Sequence, residues 1–236
     1  MNEGLRLNKY LADSGFCSRR EADRLIDEGK VYVDGRVGVL GDKILPNMDV
    51  RVNGTRVVPK ALSEKVYIAL HKPAGIVCTA DPREPMNVID YLQHPQRVFP
   101  IGRLDKESSG LLLLTSHGEI VNSILRAGGR HEKEYVVSVN RPITPEFLKK
   151  MAAGVPILDT VTLPCRIKKL TNLSFNIVLV QGLNRQIRRM CEALGYKVMT
   201  LRRERIMNIR LGTLQPGQWR DLTEKELRDL MAQLDD

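Results

Sequence analysis

The stretch from residue 100 to residue 115 joins a charged loop to four consecutive leucines, Leu111 to Leu114. An apolar run that short, bounded by Gly110 and Thr115, reads as a buried strand, and it would hold the loop before it rigidly. The loop starts at Pro100, ends at Gly110, and carries Asp105 between Arg103 and Lys106. Positive charge on both sides favours a carboxylate over a carboxylic acid. Such a group is unsuited to general-acid work and suited to nucleophilic attack or charge stabilisation. The bland alternative is a solvated turn with a salt bridge, and charge pattern alone favours it.

The chain is 236 residues long, enough for one or two domains with a real core. It has 37 Lys and Arg against 28 Asp and Glu, a formal charge of +9, which favours a polyanionic partner. Nucleic acid ranks ahead of a membrane surface. Aromatic residues make up 5% of the chain, too few for gripping single strands mainly by stacking. No apolar stretch approaches the length of a bilayer span, so no membrane association is expected. The first residues lack the apolar core and cleavage site of a secretory signal. Cys17, Cys78, Cys165 and Cys191 are scattered, without ligand-like spacing. Together these features suggest a cytoplasmic, reduced protein without a metal site.

The first sixty residues form a unit of two helices followed by short strands. Leu7, Tyr10 and Leu11 recur at helical spacing, and Gly15 stops the helix. Ser18, with Glu21 three residues on, makes a capping box for a second helix running to about residue 28. Short strands are expected at 31–33, 37–39, 50–52 and 57–58, turning at Asp34-Gly35 and Asn53-Gly54. Arg19, Arg20, Arg24 and Lys9 would cluster about the helix pair, where they suit phosphate contacts; the alternative is a solvated helix face.

A polar segment over 59–65 places a domain boundary between residues 62 and 63. The larger domain reads as strands at 66–70 and 76–79 around a turn at 71–75, then a long loop to residue 87 and a short helix over 88–93. Lys72 in that turn either contacts phosphate or covers the turn. A helix over 118–126 follows, then a strand entered through His131, Glu132, Lys133, Glu134 and Tyr135. Tyr135 alone suggests a core ring with its hydroxyl at the edge. His131 has no partner at ligand spacing and reads as structural. Thr144 caps a helix with Pro145 at its first position, and short strands follow around 155–157, 160–166 and 175–180.

Residues 182–195 carry the second informative pattern. Asn184 would cap a helix whose Ile187, Cys191 and Leu194 face the core, while Gly195 ends it. Arg185, Arg188 and Arg189 occupy its first turns, where the helix dipole disfavours cations. An anionic partner is therefore expected for them, either a phosphate or a buried carboxylate. Arg202, Arg203, Arg205 and Arg210 follow and mark this quarter of the chain as its most basic surface. An amphipathic helix from about residue 222 closes the sequence.

Residues 5–58 resemble the S-four-type RNA-binding domain, through Arg6-Leu7-Asn8-Lys9-Tyr10-Leu11, Ser18-Arg19-Arg20-Glu21-Ala22 and Gly29-Lys30-Val31-Tyr32-Val33-Asp34-Gly35. Four later stretches line up in order with the RsuA-type RNA pseudouridine synthases: residues 70–75, Gly102-Arg103-Leu104-Asp105, Lys133-Glu134-Tyr135 and residues 184–190. The resemblance implies an α/β (α+β) architecture, with the RNA-binding domain at 1–62 and a catalytic domain at 63–236. The latter would hold a mixed, mostly antiparallel sheet with flanking helices, and the active cleft would cross the sheet. It also implies isomerisation of uridine to pseudouridine in 23S ribosomal RNA, without cofactor or metal. A stem-loop would be bound by a monomeric enzyme, with a transfer RNA stem-loop as alternative substrate. Relatives with a longer basic tail would make RNA contacts there that this sequence, ending Asp235-Asp236, lacks.

Carried over by residue, the resemblance makes Asp105 the nucleophile, attacking at the sugar or at the base. Tyr135 would stack on the flipped-out base and help with proton transfer, and Arg188 would pair with Asp105. Arg103, Leu104, Lys106, Arg185, Gln186, Ile187 and Lys72 would touch the RNA, together with Arg19, Arg20 and Arg24. The competing reading is a non-catalytic RNA-binding or ribosome-assembly protein, which has no need of an anion in a cationic groove. A glycoside hydrolase using Asp105 and Glu107 fits less well, since two carboxylates two residues apart do not reach the separations such enzymes use.

Overall fold

The computed structural model describes residues 4–59, 61, 64–125 and 131–235, arranged as two compact units. The first comprises the described part of Met1–Val66 with Pro95–Val98 and Ser116–Gly118; the second takes Tyr67–His94, Phe99–Thr115 and the described residues from Glu119 on. The boundary expected between residues 62 and 63 falls outside the described residues, as does the expected helix end at Arg126.

The first unit runs β1 (Leu5–Arg6), α1 (Leu7–Asp13), α2 (Arg19–Asp27), β2 (Val31–Val33), β3 (Arg36–Val37), β4 (Lys43–Ile44), β5 (Val50–Val52) and β6 (Thr55–Arg56). Ser18 Oγ accepts the Glu21 N–H at 3.1 Å, which satisfies one of the orphan donors at the start of α2. Strands β2 and β5 alternate buried and exposed. Val31, Val33, Val50 and Val52 therefore face inward onto Leu7, Leu11, Ala22, Leu25 and Ile26. The four-stranded antiparallel sheet has the order β3-β2-β5-β6. Its hairpins turn on Asp34-Gly35 and Asn53-Gly54, all at positive φ, and a two-residue turn of this kind fixes the register. Val33 consequently pairs with Arg36 and Val52 with Thr55, so the return strands lie a residue or two earlier than the 37–39 and 57–58 expected.

The second unit contains β7 (Tyr67–Lys72), α3 (Val88–Leu92), β8 (Phe99–Ile101), β9 (Ser109–Thr115), α4 (Gly118–Leu125), β10 (Lys133–Val139) and α5 (Pro145–Ala153). It continues with β11 (Pro156–Ile157), β12 (Thr160–Val161), β13 (Arg166–Lys169), β14 (Ser174–Leu179), α6 (Gln186–Ala193), β15 (Val198–Ile206), β16 (Ile209–Arg210), β17 (Trp219–Asp221) and α7 (Glu224–Asp235). The main sheet has the order β13-β14-β10-β15-β9-β7-β17, with β16 on β15 and β8 on β9. Every pairing in it is antiparallel except one. Strands β15 and β9 run parallel, and only Arg202 with Ser109 and Arg203 with Gly110 are in register. This two-residue seam joins two antiparallel halves, each with its own core. One core gathers Val137, Phe147, Met151, Phe175, Ile177, Met190 and Leu201; the other gathers Leu111, Leu113, Ile120, Ile124, Ile209 and Leu230. Leu111 to Leu114 are buried on both faces of β9, each contributing about 2 kcal/mol of apolar transfer.

Two expected strands take another form. Residues 76–79 make a single parallel bridge between Val77 and Asn87, because Val77 spends its amide and carbonyl on Met86 and Val88 nearby. The expected 160–166 strand is split into β12 and β13 around Pro164, whose ring nitrogen has no hydrogen to give a ladder.

Gly110 is where the seam leaves least room. Its φ is +105°, and a Cβ there would lie 2.3 Å from the Arg203 carbonyl oxygen and 2.5 Å from its nitrogen. Gly110→Ala combines backbone strain with a main-chain clash, and about 3 kcal/mol or more of destabilisation is expected. A thermal melt should show Tm lowered by roughly 6–12 °C; an unchanged Tm would mean the seam yields freely.

Candidate active site

The loop between β8 and β9 is fixed by main-chain bonds on both sides of Asp105. The Asp105 carbonyl accepts the Ser108 N–H at 3.0 Å, closing a turn. The Lys106 carbonyl accepts the Gly75 N–H at 2.7 Å, so the 73–76 turn braces the loop from behind. The Leu104 N–H points to Cys78 Sγ at 3.3 Å, and the Leu104 side chain is buried. The Asp105 carboxylate stands on this frame, with 28% of its side chain exposed.

Helix α6 supplies the cations around it. Arg188 Nε lies 3.4 Å from Asp105 Oδ2, and Arg188 Nη2 donates to Ser108 Oγ at 3.0 Å. That Nε is buried without a hydrogen bond, so the ion pair is close but not a directed bond. Arg185 Nη1 sits 3.9 Å from Asp105 Oδ2 and 3.2 Å from Glu107 Oε2. The Glu107 carboxyl is held below its usual range by its own main-chain amide and then by Arg185. Two carboxylates thus oppose the cations that the helix N-terminus disfavours. Arg189 bonds to Asn184 instead, through that residue's carbonyl and side-chain oxygens.

The helix cap differs from the one expected. Arg185, in the left-handed conformation at φ 50°, is the capping residue and offers no side-chain cap. Asn184 is occupied by Arg189, and Gln186 Oε1 reaches back to the Leu183 N–H at 3.0 Å. Gln186 is therefore buried and spent on the loop before its own helix, which corrects its expected place on the RNA-facing surface. Ile187 is likewise in the core.

Lys72 takes the second of its two expected places, covering the turn. Its side chain is fully buried, and Nζ donates to the carbonyls of Pro73, Ile76 and Lys106 at 2.7, 2.9 and 3.4 Å. Burial pulls this amine below the usual lysine range. It braces the loop from within. Arg103 and Lys106 remain exposed beside Asp105. Arg19, Arg20 and Arg24 are exposed in the other unit, where Arg24 is paired with Glu21 and Glu28.

Tyr135 lies on β10, partly buried against the core that includes Ile187 and Met190. Its register partner on β15 is Arg203, after a bulge, and Arg203 is the residue paired with Gly110 across the seam. Tyr135 and the loop of Asp105 are thus brought to opposite sides of one strand.

The basic quarter expected at 202–210 is only partly a surface. Arg202 and Arg210 are exposed, whereas Arg203 is 3% exposed. Arg205 is largely buried, with Nη2 2.9 Å from Glu132 Oε2 and Nε 2.8 Å from Glu134 Oε2. Those two carboxylates outweigh burial and raise the guanidinium's pKa. Ser108 and Cys78, not singled out as site residues by the sequence, and Glu107 and Arg203, singled out there for other roles, also stand at the site. Nothing local marks them, because each acts through a partner at least 26 residues away.

The comparisons give the class. The family model described as RNA pseudouridylate synthase matches residues 66–193, and the S4 domain model matches residues 5–47. The chain belongs to the RNA pseudouridine synthases and is an enzyme of that class, of the RsuA type. The dual-specificity RNA pseudouridine synthase RluF of Escherichia coli strain K12 is 55% identical over 97% of this chain and 79% of that protein. The ribosomal large subunit pseudouridine synthase B of Bacillus subtilis strain 168 is 38% identical over 98% of this chain and 97% of that protein. A solved structure, titled crystal structure of pseudouridylate synthase, aligns with TM-score 0.70 at 27% identity, covering 96% of this chain and 99% of that one.

The entrance to β10 carries a testable electrostatic device. Glu134 is held below the usual carboxylate range by the Arg205 hydrogen bond first, with burial opposing and Asn176 adding a second donor. A depressed folded pKa gives stability that is full above the unfolded value, about 4.3, and is lost as pH falls through the folded one. Glu134→Gln should lower Tm at pH 7 by about 2–4 °C, from roughly 1 kcal/mol after screening. In melts recorded from pH 7 to pH 3 that deficit should shrink below about pH 4. A constant deficit across the range would assign the loss to packing alone.

Proposed function

We propose that this chain isomerises a specific uridine of 23S ribosomal RNA to pseudouridine, with Asp105 as nucleophile. The observation that carries the reading is the Asp105 carboxylate fixed on a braced loop 3.4 Å from Arg188 Nε, with Arg103 and Lys106 exposed beside it. An anion there would repel a phosphate backbone and serves no purpose in plain RNA binding. It suits attack on one nucleotide drawn out of its stack. The Arg188 contact keeps the carboxylate aimed without tying its lone pairs into a directed bond.

Asp105 attacks the target nucleotide and the bond from the sugar's carbon 1′ to N1 breaks. The uracil turns, carbon 5 bonds to carbon 1′, the bond to Asp105 breaks to return the free carboxylate, and the proton lost from carbon 5 is matched by one gained at N1. Product and substrate have the same atoms and oxidation state, so the balance requires no reductant, oxidant or energy source. Tyr135 is the ring that stacks on the base and assists that proton transfer. Flipping the uridine out costs on the order of a few kcal/mol, which backbone contacts from Arg103, Lys106 and Arg185 offset.

In this reading residues 1–62 form an RNA-binding domain and residues 63–236 the catalytic domain. The S4 and synthase matches support that division. Arg19, Arg20 and Arg24 then hold a stem-loop, so binding should weaken with salt. The large-subunit target is supported by the name of the Bacillus subtilis relative, and a transfer RNA stem-loop as second substrate by the words dual-specificity in that of RluF. The enzyme works in the cytoplasm as a monomer.

The test is tritium release from carbon 5 of uridine in large-subunit rRNA transcript. Wild type should release tritium, and Asp105→Asn and Asp105→Ala should abolish release while RNA binding stays within about twofold. Binding lost in parallel with turnover would count against the nucleophile role. No release by wild type, despite salt-sensitive binding, would leave either the wrong RNA or an assembly protein, which small-subunit and transfer RNA transcripts would separate.

A further inference from the structure

Arg203 is a cation with no carboxylate. Among the described residues no acidic side chain pairs with it, and it is 3% exposed. Nε donates to the Leu111 carbonyl at 2.7 Å and Nη1 to the Arg103 carbonyl at 3.5 Å, while Nη2 is buried without a partner. A buried guanidinium left partly unsatisfied opposes stability, and an apolar side chain would fill the same space at less cost. Its charge is also unwelcome locally, since it helps hold both Lys72 and Lys133 below their usual range, after the larger effect of burial. What the side chain supplies is geometry. Its planar fork spans two carbonyls on either side of the Asp105 turn from separate nitrogens held in one plane, a geometry that a lysine's single nitrogen does not reproduce.

The main chain of Arg203 adds to this. It pairs with Tyr135 on one side and with Gly110 on the other, the latter so closely that a Cβ at Gly110 would meet its carbonyl at 2.3 Å. One residue therefore touches the start of the loop at Arg103, its end at Gly110 and Leu111, and the strand of Tyr135. We infer that Arg203 is a positioning residue that sets the spacing between Asp105 and Tyr135 across the seam of the sheet. This rests on reading Asp105 as the nucleophile.

The experiment uses the full chain and tritiated 23S rRNA transcript, comparing Arg203→Met, Arg203→Lys and Asp105→Ala. Misplacing reacting groups by about 1 Å costs on the order of 100-fold. Arg203→Met should therefore lose about that much in kcat, and Arg203→Lys roughly tenfold, with KM and RNA binding within about threefold of wild type. Near-ultraviolet circular dichroism and Tm check that each variant is folded, and Arg203→Lys is the variant to read if Arg203→Met melts below the assay temperature. Wild-type kcat in a folded variant would overturn the inference. So would a raised KM at unchanged kcat, which would make Arg203 an RNA contact. Collapse of both variants would make it a core residue and overturn the inference too. Release retained by Asp105→Ala is a different result, since it would remove the nucleophile reading on which this inference stands.

Discussion

The two-residue parallel seam between β9 and β15 is the constraint on which the catalytic unit depends. Antiparallel strands can be linked by tight turns and pair over long registers, as β10 does with β14 and β15. A parallel pair needs a crossover and gains less per residue. Here it is held to Arg202 with Ser109 and Arg203 with Gly110, which makes the junction local and leaves each half of the sheet its own core. The groups assigned to the chemistry come from both halves. Asp105 precedes β9, whereas Tyr135 and Arg188 belong to β10 and α6. A seam that is short but sterically tight is a way to bring them together without merging the two cores.

Electrostatics around the seam follow from this arrangement. Arg188 and Arg185 lie at the start of α6, against the helix dipole, and are tolerated because Asp105 and Glu107 face them. Lys72 and Arg203 are buried and bonded to carbonyls, so they brace the loop with directed donors and pay for it in desolvation. The Glu132–Arg205–Glu134 group ties the entrance of β10 to β15 next to Tyr135. Cations in this region therefore divide into three kinds by what they face: carboxylates, carbonyls, or solvent. Arg103 and Lys106 are of the last kind and open to a polyanion, whereas the exposed Arg202 and Arg210 are each paired with a glutamate, Glu204 and Glu134.

That division explains what the sequence could and could not disclose. Periodicity and caps were sufficient for α2 with its Ser18 cap, for α5 with Thr144 and Pro145, and for the buried β9, because these are set by neighbours in the chain. Turn chemistry at Asp34-Gly35 and Asn53-Gly54 likewise announced the hairpins, with an error of a residue or two in the strands. Long-range pairing has no such local trace. Nothing in the run from Leu201 to Arg205 distinguishes the buried Arg203 and the largely buried Arg205 from the exposed Arg202, and all three read as one basic surface. The buried places of Lys72 and Gln186 lack a local trace for the same reason, since a polar side chain reads identically whether it will meet water, a phosphate or main chain folded over it.

The same logic ranks the site residues by how their roles can be argued. Asp105 stands out as an anion among cations before any fold is known, yet that pattern alone favours a solvated turn, and the role comes from the resemblance to the pseudouridine synthases. Arg188 is expected to face an anion from its place in the first turns of α6, and the folded loop shows how: its Nε is buried and faces Asp105 without a directed bond. A tight bidentate pair would hold the carboxylate in place and occupy the oxygens that, on the proposed role of Asp105, would attack. The looser contact leaves the carboxylate's lone pairs open, as the role proposed for Asp105 requires. Electrostatic holding and chemical availability are in competition at this one contact, and its geometry is the compromise between them.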